Sequence, residues 1–192
     1  MTALHLSQDP DADALLTRDP LALLLGMLLD QQIPMEKAFR GPAVLRERIG
    51  RELDAADLAG RADLAELFAK TPAIHRFPGS MAGRVQELCA HLVEHHGGRA
   101  EAVWEGVEDA GELLRRLKAL PGFGEQKATI FLALLGKQLG VRPEGWRDKA
   151  GAYGDDALRS VADVRSPETL LEVRATKQQA KAAAKQAAAA KG

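Results

Sequence analysis

Residues 120–128 read LPGFGEQKA, and this stretch is the most informative part of the chain. On both sides of it, between positions 110 and 139, apolar residues recur at three- and four-residue steps, which predicts two amphipathic helices. Pro121 ends the first helix, while Gly122 and Gly124 allow positive φ angles and let another backbone come close. The stretch therefore predicts two helices joined by a tight hairpin.

The start of the second hairpin helix is a candidate anion site. Its first N–H groups have no partners inside the helix, and the helix dipole favours a negative charge there. A phosphate of a nucleic-acid backbone fits such a site, and Lys127, just inside the helix, is placed to contact it. The alternative is a Gly-Pro turn between two core helices, with Lys127 as a solvated side chain.

Two further stretches precede the hairpin. Residues 25–32 read LGMLLDQQ, with Ala38 beyond them, and form the polar end of an apolar helix that starts at Asp19. Residues 77–98 read FPGSMAGRVQELCAHLVEHHGG, a Pro-Gly start followed by a helical pattern and a Gly-Gly stop. The three stretches, in this order, resemble the helix-hairpin-helix DNA glycosylases, the HhH-GPD superfamily. The resemblance covers roughly residues 19–140.

The resemblance implies an all-α fold. The implied fold is a helical bundle of the HhH-GPD type, with the helix-hairpin-helix at residues 110–139 and two interlocked helical subdomains. We expect this domain to span residues 1–174. Residues 175–192 are rich in Ala, Lys and Gln without an apolar stripe, so we expect a disordered basic tail. The tail is either a solubilising end or a phosphate-binding arm, with lysines at 177, 181, 185 and 191.

The resemblance further implies a role in DNA base-excision repair, with damaged double-stranded DNA as the partner. It places the Gln31-Gln32 corner at the minor groove, where a polar side chain fills the space left by a flipped base. Alternatively, the two glutamines cap carbonyls and solvate the end of their helix. The expected DNA-binding residues are Gln31, Gln32, Pro121, Gly122, Phe123, Gly124, Gln126 and Lys127.

The residues that carry the chemistry depart from the superfamily. Bifunctional members have a nucleophilic lysine two residues after the second hairpin glycine, and this chain has Gln126 there, which cannot form a Schiff base. We therefore expect a monofunctional DNA N-glycosylase, in which a carboxylate stabilises oxocarbenium-like charge on the deoxyribose. The superfamily's aspartate commonly lies in a Val-Asp motif, but positions 141–142 are Val-Arg. The candidate carboxylates are Asp148, ranked first, and Glu144, and either is alternatively an ordinary surface acid.

Composition limits the cofactors and the compartment. The one cysteine, Cys89, excludes a disulfide framework within one chain, and it excludes the superfamily's iron–sulfur cluster, which needs four cysteines. We expect no cofactor and no metal, apart from a monovalent cation that the resemblance allows at the hairpin. Residues 1–13 lack a signal pattern, and the apolar residues 21–29 are too few to span a bilayer. We expect a monomeric cytoplasmic protein without a membrane partner, associated with the nucleoid if it is bacterial.

The charge of the chain leaves two other classes open. The net charge is −1, and without the four tail lysines 22 basic residues face 27 acidic ones, which gives −5. Any DNA contact by this part of the chain must therefore come from local placement and backbone amides. One alternative is a non-catalytic helix-hairpin-helix protein that binds damaged or abasic DNA. The other is a helical interaction protein that has kept only the fold.

Overall fold

The computed structural model describes residues 3–189, and all the regular elements in this range are helical, which confirms the predicted all-α class. None of these helices is both long and apolar enough to cross a bilayer. Short 3₁₀ turns lie at Ala100–Val103, Gly151–Tyr153 and Val161–Asp163. The α-helices are α1 (Pro10–Arg18), α2 (Pro20–Leu29), α3 (Met35–Ile49), α4 (Ala55–Gly60), α5 (Leu64–Ala69), α6 (Pro78–His96), α7 (Ala110–Ala119), α8 (Glu125–Gln138), α9 (Trp146–Lys149) and α10 (Pro167–Ala189).

Aspartate caps set the start of several helices. The Asp19 carboxylate accepts hydrogen bonds from the N–H groups of Leu21 at 2.9 Å and Ala22 at 3.2 Å. These groups have no partner inside the helix, and Pro20 supplies a preset φ at the first position. The predicted start of this helix is confirmed, and Asp9 and Asp109 cap α1 and α7 in the same way.

The centre of the core is α2. Every residue from Leu21 to Leu29 is buried, as the apolar sequence of this helix predicts. α3 and α6 pack against it, and its leucines join Phe39, Phe68 and Phe131 in one apolar cluster. Burying a leucine side chain stabilises a fold by about 1.5–3 kcal/mol. The buried leucines of α2 therefore fix the position of the residues at its two ends.

α3 differs from the sequence prediction. Gly41 and Pro42 predict a break between two helical segments, but the helix runs without interruption from Met35 to Ile49. Pro42 costs the helix one backbone hydrogen bond, and packing against α2 outweighs that local cost. Gly41 makes this packing close, because a Cβ there would lie 2.7 Å from Leu29 Cδ1.

α7 and α8 form the predicted hairpin. The turn between them is closed by a hydrogen bond of 3.0 Å from Phe123 N–H to the Leu120 carbonyl. Gly122 has a φ of +83°, which favours glycine, whereas Gly124 has a φ of −75° that any residue adopts. The positive φ expected of both glycines is thus found only at Gly122. Gly124 is the N-cap of α8 instead, and the space around its missing Cβ is open.

The chain after α8 returns along that helix. Trp146 packs on Gly136, where a Cβ would lie 2.4 Å from the indole ring. Lys137 and Asp163 form an ion pair in which both side chains are at least 96% buried, and Asp163 also accepts from the N–H of Ser160 at 3.0 Å. These contacts fix residues 146–163 against α8 and α7.

α10 extends into the segment that we expect to be disordered. Residues 175–189 are helical in the structure, because Ala, Lys and Gln are strong helix formers. Val173 is the last buried residue before this segment, and a helix without tertiary packing is marginal in water, so disorder of the tail in solution stays a prediction. Lys177, Lys181 and Lys185 share a helix face, whereas Lys191 lies outside the described residues.

Gly122→Ala should destabilise the protein by about 1–3 kcal/mol, because alanine is strained at this positive φ. The added Cβ would also lie 2.4 Å from Leu28 Cδ1. Gly124→Ala is the matched control, and it should change the free energy of unfolding by less than about 1 kcal/mol. Urea unfolding of both variants measures the difference. Equal destabilisation by the two substitutions would contradict this account of the hairpin.

Candidate nucleic-acid interface

The end of α2 meets the hairpin at Leu28. The Leu28 side chain lies against Gly122, and its carbonyl oxygen accepts a hydrogen bond of 2.9 Å from Lys127 Nζ. We call these three residues the Leu28 junction. The last carbonyls of a helix have no partner inside it and carry the negative end of the dipole, so a cation is favoured there. The junction therefore joins two stretches that lie almost one hundred residues apart in the sequence.

The Gln31-Gln32 corner lies directly beside this junction. Gln31 Nε2 donates to the same Leu28 carbonyl at 3.0 Å, and Gln31 Oε1 accepts from Arg84 Nη1 at 3.1 Å. Gln32 is exposed and has a φ of +57°, which is rare for a residue other than glycine. Gln31 thus caps a carbonyl, as one of the two alternatives predicts. Gln32 is the glutamine that faces solvent.

His75 ties the glutamine corner to the start of α6. Its Nδ1 accepts from Phe77 N–H at 3.0 Å, so its Nε2 carries the proton and donates to the Gln31 carbonyl at 3.0 Å. Burial lowers the pKa of His75, and the nearby charges of Lys37 and Lys127 act in the same direction. The imidazole thus holds Phe77 beside the corner. Phe77 is 44% exposed, and the guanidinium carbon of Arg76 lies 5.3 Å from the centroid of the phenyl ring.

Lys127 and Asp30 are two perturbed charges at the Leu28 junction. Burial lowers the pKa of the Lys127 ammonium to about 8, although the Asp30 charge opposes this shift. Burial likewise raises the pKa of the Asp30 carboxyl, although the charges of Lys177 and Lys127 oppose that shift. Pairs of perturbed titratable groups are typical of functional sites.

Sequence reasoning missed Asp30 as a site residue. The signal was an acid at the C-terminal end of an apolar helix, where the dipole disfavours negative charge.

The first turn of α8 leaves backbone N–H groups free. Gly124 caps the helix without a side chain, and within residues 3–189 the N–H groups of Glu125, Gln126 and Lys127 have no hydrogen-bond acceptor. Gln126 Nε2 donates to Tyr153 Oη at 2.9 Å, and Glu125 pairs with Lys118. The free N–H groups and the open space at Gly124 leave room for an anion.

The other hairpin residues are structural. Phe123 is buried 6.0 Å from the centroid of Phe131, and Lys127 Nζ lies 5.8 Å from the centroid of the Phe123 ring. Pro121 is half-buried in the turn. Of the eight expected DNA-binding residues, the structure brings all to one end of the hairpin and α2, with Gln32, Gly122, Gly124 and Gln126 exposed.

The two candidate carboxylates lie elsewhere. The backbone of Glu144 accepts from Ala110 N–H at 3.0 Å and donates to the Glu108 carbonyl at 2.7 Å, which places it at the start of α7. α7 has ten residues, so about 15 Å of helix separates Glu144 from the hairpin turn. Asp148 lies in α9, which packs on α7, and it is exposed. The structure therefore separates Glu144 from the Leu28 junction, and within residues 3–189 no hydrogen bond or ion pair joins Asp148 to it.

The histidines at the end of α6 do not form a metal site. The rings of His91 and His95 are 4.5 Å apart between centroids, and burial lowers the pKa values of His91 and His96. In the part of the chain that the structure describes, no three His, Cys, Asp or Glu side chains are grouped to hold a metal ion.

Lys127 should make stability depend on pH in the alkaline range. Its pKa is about 8 in the folded protein against 10.5 for a free lysine, so between these values the unfolded chain binds more protons and the free energy of unfolding rises with pH. Lys127→Met removes this dependence. Urea unfolding at pH 7–10.5 should show wild type gaining on the variant above pH 8, by at most ~1.4 kcal/mol per pH unit. Parallel profiles would contradict the partly buried charge.

Comparison with known proteins adds no assignment. The chain matches no protein-family model, no curated protein and no solved structure.

Proposed function

We propose that this chain binds damaged duplex DNA and acts in base-excision repair as a helix-hairpin-helix glycosylase. The observation that carries the proposal is the Leu28 junction. It brings the first turn of α8 next to the Gln31-Gln32 corner, and His75 joins the exposed Phe77 to the same corner, although these residues come from three separate parts of the sequence.

Each part of this surface matches one component of distorted DNA. The N-terminus of α8 offers hydrogen-bond donors and a positive dipole end to a backbone phosphate. Gln32 offers an amide to base edges in the minor groove, and Phe77 offers an apolar ring that can insert between unstacked bases. Arg84, held by Gln31, adds a positive charge at the same place. This combination suits a duplex that is bent and has one nucleotide flipped out.

The proposed chemistry is hydrolysis of the N-glycosidic bond without a Schiff base. Gln126 is an amide, and the Lys127 amine is engaged by the Leu28 carbonyl. A carboxylate must then stabilise positive charge on the sugar. Asp30 lies close enough to the junction for its charge to act on Lys127, whereas Glu144 lies at the far end of α7 and Asp148 lies in α9. Asp30 is therefore our first candidate.

One observation favours a second candidate function. Of the carboxylates that match the superfamily by spacing or residue type, Glu144 lies about a helix length from the hairpin turn, and Asp148 lies in α9, which packs on α7 and α8. A helix-hairpin-helix protein that binds damaged or abasic DNA without cleaving it needs no carboxylate there. Binding and base release separate the two functions.

Gly124→Asp should weaken DNA binding without unfolding the protein. Aspartate is a preferred N-cap, and there is open space for its side chain, so α8 should be as stable as before. Its carboxylate would occupy the free N–H groups and repel a phosphate. Since a hydrogen bond to a charged group contributes about 1.5–3 kcal/mol, affinity should fall about ten- to hundredfold. Fluorescence anisotropy with a labelled duplex that carries an abasic-site analogue measures this.

Gly124→Ala is the control, because it leaves the N–H groups free, and it should keep its affinity within about threefold. Unchanged affinity of Gly124→Asp would remove the hairpin from the interface. A wild-type protein that shows no salt-dependent binding to any duplex would leave only the helical interaction protein.

Asp30→Asn should abolish base release, whereas Glu144→Gln and Asp148→Asn should retain it. The measurement is single-turnover release from a panel of singly damaged duplexes, followed by alkaline cleavage at the abasic sites. Loss of an essential charge-stabilising group costs about 10²–10³ in rate. The Lys127 amine should give no borohydride-trapped adduct.

The other results lead elsewhere. Loss of release in Glu144→Gln or Asp148→Asn alone would assign the carboxylate to that residue and remove Asp30 from the chemistry. Tight binding to the abasic analogue without release from any duplex would establish the non-catalytic function.

A further inference from the structure

A groove rich in basic side chains lies between α3 and residues 70–74, which connect α5 to α6. Lys37, Arg40, Arg48 and Lys70 line it, and Glu47 is the one acid among its lining residues. The sequence is otherwise weighted towards acid, since without its four tail lysines it has a net charge of −5. Four cations around one groove therefore mark a local positive field.

The two arginines of this basic groove hold its walls. Arg48 donates to the backbone carbonyls of Leu67 at 2.5 Å and Pro72 at 2.7 Å, which fixes the α5–α6 connection onto α3. Arg40 pairs with Asp9 at 3.2 Å. Both guanidinium groups are thus engaged within the protein.

The two lysines are available to a ligand. Lys37 and Lys70 are exposed, and within residues 3–189 neither ammonium lies within ion-pair distance of a carboxylate. They stand on opposite sides of the groove, one on α3 and one after α5. Lysine is a flexible point charge, which suits contact with phosphate oxygens without a fixed geometry.

The floor of the basic groove continues into the candidate interface. Ile74 lies at the floor, and a Cβ on Gly41 would be 3.2 Å from it. The next residue is His75, which donates a hydrogen bond to the Gln31 carbonyl. The charge of Lys37 contributes to lowering the pKa of His75. The groove therefore begins where the glutamine corner ends.

We propose that the basic groove binds the phosphate backbone of the same DNA duplex, beyond the hairpin contact. This inference rests on the proposed function, and it adds a second contact surface formed by α3 and the α5–α6 connection. Charge complementarity identifies the occupant: the groove is cationic in a protein of net charge −1, and it has exposed lysines on both sides. Its last lining residue, Ile74, is next in sequence to His75, which contacts the surface proposed to hold a bent duplex.

The test is the salt dependence of DNA affinity for Lys37→Ala/Lys70→Ala. Each lost phosphate contact lowers the slope of log affinity against log salt by about one, so the double variant should lose about two from its slope. Its affinity at 0.1 M salt should fall about tenfold or more. The control with the same loss of charge is Arg99→Ala/Lys149→Ala, which removes two exposed cations outside the groove. Arg99 lies beside the start of α2, and Lys149 of α9 lies beside the start of α7, so the slope should be unchanged.

Lys37→Arg/Lys70→Arg separates charge from structure, because it keeps both cations and should keep the wild-type slope. An unchanged slope in the alanine variant, with wild type binding and Gly124→Asp binding at least about tenfold more weakly, would overturn the groove while the proposed function stands. Equal loss in the alanine and arginine variants would also overturn it, since charge would not be the cause. No binding of wild type to any duplex would overturn both.

Discussion

The rest of the site depends on the contacts of Leu28. Its side chain lies against Gly122, and its carbonyl oxygen accepts two hydrogen bonds. The Leu28 side chain reaches the hairpin because position 122 has no Cβ, and the Leu28 carbonyl holds both Lys127 and Gln31. A helix end is a good partner for a cation, because its last carbonyls are otherwise unpaired. One backbone group thus aligns α2, the hairpin and the glutamine corner, and α2 itself is fixed by burial on all sides.

The burial of two charged groups, at Lys127 and Asp30, costs the fold free energy. Partial burial disfavours the Lys127 ammonium and the Asp30 carboxylate, and each moves its pKa towards the neutral form. A methionine at position 127 and an asparagine at position 30 would avoid this cost, but methionine would lose the hydrogen bond to the Leu28 carbonyl. Two such charges close enough to influence each other, near free helix N–H groups, form a pattern that is typical of functional sites.

Sequence patterns predicted those features that depend on neighbouring residues. The cap at Asp19, the burial of α2 and the hairpin of α7 and α8 each follow from residues within one or two turns. Other features depend on contacts between distant segments. The continuity of α3 through Pro42 comes from α2, and the inward direction of Lys127 comes from Leu28. The position of Glu144 comes from its backbone bridge to α7. No local pattern carries that information.

The acidic charge of the protein has a consequence for how it would recognise DNA. Non-specific affinity comes almost wholly from phosphate contacts. A protein of net charge −1, or −5 without the four tail lysines, has few cations placed to make such contacts. Undamaged duplex would therefore be held weakly and released quickly. Damage lowers the energy needed to unstack and bend a site, so affinity that depends on a bent duplex rises at damaged positions. Under the proposed function, the backbone amides at α8 and the exposed ring of Phe77 would contribute only when the DNA is already deformed against them, and this would link the low net charge to selectivity for damage.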